Sequence, residues 1–86
     1  MDPILDKKIK LIWDFRGPAS QRTAEHFVIH LEEYLKGNTL KSHGHGSEIR
    51  SDMIAIAFLI IGTEDLEQVK NELKPHRAEW VETPSA

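Results

Sequence analysis

Alternation is the first pattern along the chain. In KIKLIWDF, residues 8–15, Ile9, Leu11, Trp13 and Phe15 fall on one side, and Lys8, Lys10, Ile12 and Asp14 on the other. Period two with β-branched and aromatic residues predicts a strand with one face in a core. Gly17-Pro18 breaks it, and proline is tolerated in the first turn of a helix. Over 19–36 the period changes. Ala24, Phe27, Val28, Leu31, Tyr34 and Leu35 recur at three- and four-residue spacing, which predicts an amphipathic helix stopped by Gly37-Asn38.

A weaker, glycine-punctuated stretch at about 39–45 predicts a short edge strand, with GSEIRS as the loop after it. DMIAIAFLII, residues 52–61, is apolar on both faces and predicts a central strand covered on both sides. Thr63 opens a helix as its N-cap, with Leu66, Val69 and Leu73 on the buried stripe and Pro75 as the stop. HRAEWVE, residues 76–82, alternates Ala78 and Trp80 against Glu79 and Val81, a last strand. Residues 1–6 and the tail TPSA read as frayed ends around one domain, 1–86, with an ordered core at about 7–82.

The order βαββαβ predicts an α+β fold, a ferredoxin-like sandwich: a four-stranded antiparallel sheet with two helices on one face. Both helices on one face leave the other face open. An apolar row there, Ile12, Ile54, Ile56 and Phe58, would meet water in a monomer, so a dimer interface is expected on these residues, with a homodimer favoured.

Composition narrows the chemistry. The 86 residues include no cysteine, which removes disulfides, thiolate metal sites and thiol nucleophiles. The net charge of −3 gives no global pull on nucleic acid or anionic membrane, so neither is expected as a partner. The longest apolar run, MIAIAFLIIG, is about half the roughly 20 residues of a spanning helix. With no signal-peptide pattern at the start, a cytoplasmic location is expected.

Five histidines carry the remaining interest. The spacing His43-Gly-His45 places two imidazoles on one side of a strand, and His26 and His30 share one side of a helix; either pair suits a divalent transition metal. With a strand ending near 45, His43 and His45 would sit at the hairpin, at the same sheet end as Arg16, Arg50, His76 and Arg77. A cationic end of this kind suits a small anionic ligand, since arginine recognises phosphate and carboxylate bidentately. The expected function is therefore a homo-oligomeric binding or regulatory module. It would recognise a small anionic ligand or a protein partner at that end. The alternatives are a transition-metal-binding protein using the histidine pairs, and a small hydrolase-type enzyme at the same end. Catalysis is the less expected, because no catalytic motif is present and a fold does not imply an activity.

Overall fold

In the computed structural model, which describes residues 7–81, the first alternating stretch is strand β1 (Lys8–Arg16). Helix α1 (Ser20–Gly37) follows, then β2 (Gly44–Ser51), β3 (Ile54–Gly62), a 3₁₀ turn at Thr63–Asp65, helix α2 (Leu66–Leu73) and β4 (Arg77–Val81). The strand order is β2-β3-β1-β4 and every pairing is antiparallel. This is the ferredoxin-like arrangement. The frayed ends expected at 1–6 and in the tail, and Glu82 of the expected last strand, lie outside the described residues.

Burial follows the alternation. Ile9, Leu11 and Trp13 of β1 join Ala57, Leu59 and Ile61 of β3, Leu31 and Leu35 of α1, and Val69 of α2 in one core. Each large aliphatic side chain there contributes about 1.5–3 kcal/mol by leaving water. Ala24 on α1 and Ala55 and Ala57 on β3 are small and fully buried, which lets α1 lie close to the sheet.

Three details differ from the sequence expectation. The second strand starts at Gly44, not near 39, and runs through the stretch read as a loop. The cause is the exit from α1. Gly37 is still helical, Thr39 takes the left-handed turn with φ 53°, and Leu40 N–H closes back on the Leu35 carbonyl at 3.0 Å. Leu40 then packs on the core, which delays the strand. Secondly, the α2 region begins as a 3₁₀ turn, and Thr63 caps nothing with its side chain.

Thirdly, the open sheet face is not a bare apolar row. Ile12 and Ile56 are 0% exposed, and Ile54 and Phe58 are half-buried. Charged side chains cross this face. Arg77 stands beside Ile12 in the register and forks onto Asp14 with two bonds of 2.9 Å. The Lys10 ammonium sits 4.6 Å from the Phe58 ring and 3.9 Å from Glu48, which in turn holds Arg50 at 3.1 Å. Long stems of arginine and lysine cover apolar surface while their heads stay wet. The expected exposure of Ile12 and Ile56 on this face is not found in the single chain.

Candidate functional site

The corrected position of β2 moves two of the expected site residues. The hairpin between β2 and β3 is Asp52-Met53, so His43 and His45 lie at the start of β2, away from the end where β1 finishes. Arg16 pairs with Ile54 at that finish, and Arg50 is the extra residue of a bulge between Ile49 and Ser51 on the β2 edge. His76 and Arg77 belong to the opposite edge, beside β1. Two strands separate the β2 set from the β4 set, so the six expected ligand residues do not converge.

Most of those cations are also committed. Arg77 holds the Asp14 carboxyl below the usual carboxylate range by its hydrogen bond, against the opposing effect of burial, and is itself pushed up by Asp14. The Asp14 backbone N–H donates to His76 Nδ1 at 2.8 Å, which places the proton of the neutral ring on Nε2. The His76 backbone N–H donates to the Ile12 carbonyl at 2.9 Å. His76 therefore serves to join β4 to β1.

His45 is engaged at both nitrogens, by Ser42 Oγ at 2.9 Å and Glu32 at 3.3 Å. Ser42, His45 and Glu32 form a chain that resembles a hydrolase relay in composition. However, Ser42 Oγ also accepts the Gly44 N–H at 3.1 Å. The chain ties α1 to the β2 edge. Sequence reasoning missed it because Glu32 and His45 meet only through the packing of helix on strand.

Where a groove does form, its cause is a difference in helix length. At 1.5 Å per residue, the 18 residues of α1 span roughly 27 Å and the 8 of α2 roughly 12 Å. The two helices meet at the second half of α1. Tyr34 donates to Glu72, and Gln68 reaches both Tyr34 and Asn38. Burial and the Glu72 carboxylate push the Tyr34 phenol up. The Trp13 indole N–H meets the Leu73 carbonyl at 2.9 Å, and there α2 ends. Lys74 closes it in the left-handed conformation, φ 48° and ψ 64°.

Beyond that point the same flank of α1 continues without a partner helix among the described residues. Thr23, Phe27, His30 and Tyr34 recur at four-, three- and four-residue spacing, so the flank that meets α2 at Tyr34 runs back through Phe27. A groove of about 350 Å³ lies along it, lined by Arg22, Thr23, His26, Phe27 and His30. Phe27 is half-buried and packs on Trp13 at 4.9 Å and Phe15 at 5.6 Å between centroids, so an aromatic cluster underlies the groove. The His26 and His30 rings stand edge to face at 5.0 Å, and His30 lies 3.5 Å from Glu33. Arg22 has no ion-pair partner among the described residues. The nearest acid in sequence, Glu25, takes a hydrogen bond from Gln21. Arg22 was overlooked because its value depends on α2 being short, which one helical wheel does not show.

Among the described residues no group of three or more histidine or acidic side chains is placed to hold a metal ion. None of the helices there is long and apolar enough to cross a membrane.

The fold is that of a small α+β domain, with a groove along the first half of its long helix. No family model and no curated protein matches the chain. Among solved structures it is similar to the C-terminal domain of the MgtC protein from Mycobacterium tuberculosis, solved in solution. That likeness is 20% in identity with a TM-score of 0.49, covering 100% of this chain and 98% of the other.

Proposed function

We propose that this protein is a non-catalytic binding module that takes a small amphiphilic anion in the α1 groove. An aryl or short-chain carboxylate, or a phosphate carrying an apolar group, has the required chemistry. The observation that carries this reading is Arg22, which makes no ion pair among the described residues, beside an aromatic floor that the short α2 does not reach. Pockets of this size are typically apolar with a few polar groups that fix orientation. Phe27 supplies the apolar wall, Arg22 the bidentate anion contact, and His26 and His30 supply ring donors at the rim.

The reading keeps the expected anionic ligand but moves it from the His43/His45 region to the first half of α1. Regulation would follow from the position of the groove, since a ligand resting on Phe27 presses through Trp13 on the end of α2.

Ligand-observed NMR with a panel of aryl and alkyl carboxylates and phosphates tests it, with a thermal-shift series alongside, because a ligand that binds only the folded chain raises its melting temperature. Benzoate- and phenylphosphate-type anions are expected to bind, and Arg22→Ala and Phe27→Leu each to weaken them. Binding unchanged in both variants, or no binding by any member of the panel, rejects the groove as the site.

A further inference from the structure

The chain exposes four large apolar side chains among its described residues: Ile29 at 52%, Ile49 at 59%, Met53 at 51% and Trp80 at 61%. Trp80 is on the β4 edge. The other three belong to the opposite side. Ile49 is on β2, Met53 is in the hairpin that ends it, and Ile29 is one turn before Glu32, whose carboxylate touches His45 of β2. Among the described residues this side is also a strand edge, since β2 pairs only with β3, and such an edge is a template for another strand.

Charges usually guard such an edge. Here they are of both signs and two residues apart: Glu48, then Arg50, with Ile49 between them. Antiparallel pairing of two identical strands matches residues whose numbers have a fixed sum. Pairing centred on Glu48 opposes two carboxylates. Pairing centred on Ser47 places Glu48 against glycine and Arg50 against glycine. Centred on Ile49, the strand pairs Glu48 with Arg50 of the second copy and Arg50 with its Glu48, while Ile49 meets Ile49. Opposite charges directly across a ladder stabilise it and like charges destabilise it. That register has the same parity on both strands, so both pairs of helices stand on one face. Across the bulge the Arg50 guanidinium lies 3.1 Å from Glu48, and a second Glu48–Arg50 pair would complete a four-charge ring.

We propose that the β2 edge is a homodimer interface, formed with a second copy of this chain, antiparallel and centred on Ile49, to give one continuous eight-stranded sheet. This is independent of the α1 groove.

Sedimentation velocity over low to high micromolar concentrations tests it, with circular dichroism confirming that each variant folds. The wild-type chain is expected to dimerise reversibly. Glu48→Arg alone and Arg50→Glu alone are each expected to weaken the dimer about tenfold or more, because each opposes like charges twice. An equimolar mixture of those two variants is expected to dimerise again, because every cross-strand pair in the heterodimer is then of opposite sign. Should either variant fail to fold, Ile49→Lys on the same edge takes its place and is expected to give a monomer. A wild-type chain that stays monomeric at high micromolar concentration overturns the proposal. So does a dimer that tolerates Glu48→Arg or Ile49→Lys unchanged.

Discussion

The indole N–H of Trp13 donates to the carbonyl of Leu73 at 2.9 Å, across 60 residues of sequence. One residue of β1 thereby anchors the end of α2, which Lys74 and Pro75 terminate. The bond satisfies a carbonyl at the helix end, which has no partner within the helix, and the same ring packs against Phe27. Trp13→Phe keeps an aromatic core residue but removes the donor and some volume. It is expected to cost about 1–3 kcal/mol in urea unfolding. A change below a few tenths would mean that the carbonyl finds water without penalty.

Asp14 and Arg77 give the domain an acid-side pH dependence. The folded chain holds the Asp14 carboxyl below its ordinary range, so the unfolded chain takes up that proton at higher pH. The stabilisation is therefore fully present above the ordinary carboxylate range and is lost as pH falls through the depressed folded value. Arg77→Gln is expected to move the Asp14 titration, followed by its carboxyl carbon shift, up toward the ordinary range. Acid unfolding should then begin at higher pH. An unmoved titration would remove Arg77 as the cause.

Two glycines should respond in opposite directions to alanine. Gly44 has φ +153°, and a Cβ there would lie 3.3 Å from Ile60 Cδ1. Gly37 is helical, with open space where its Cβ would be. Gly44→Ala is expected to destabilise by roughly 1–2 kcal/mol and Gly37→Ala to stabilise by up to about 1 kcal/mol. Thermal melts of the two variants side by side check the sign of each.

The histidine pairs are expected to behave differently toward metals. His45 has both nitrogens occupied, whereas His26 and His30 are exposed neighbours. On chelator-stripped protein, Zn²⁺ and Ni²⁺ are expected to give no binding at His43 and His45. Calorimetric heat that disappears in His43→Ala with His45→Ala would contradict this. Heat that disappears in His26→Ala instead would make the α1 pair a two-ligand metal site competing with the proposed anion.

How much was legible beforehand can be judged on particular residues. Ile9, Leu11 and Trp13 were readable as core because alternation is a local consequence of strand geometry. The two-sided apolarity of β3 likewise announced a central strand, and the order of elements then left few topologies. GSEIRS was not readable as a strand. An edge strand is solvated along one side, so its side chains need not alternate in polarity, and the hydrophobic pattern that marks other strands is weak there.

By itself, then, the sequence determined the element order, the core stripe of each element and the sheet that follows, since these depend on periodicities of two and 3.6. Only the tertiary structure decided which polar groups meet. Glu32 finds His45, Arg77 finds Asp14 and Leu73 finds Trp13 because packing brings distant segments into hydrogen-bond range. Those encounters occupy histidines and arginines that looked available, while α2, stopped ahead of Pro75, leaves Arg22 and Phe27 beside a groove.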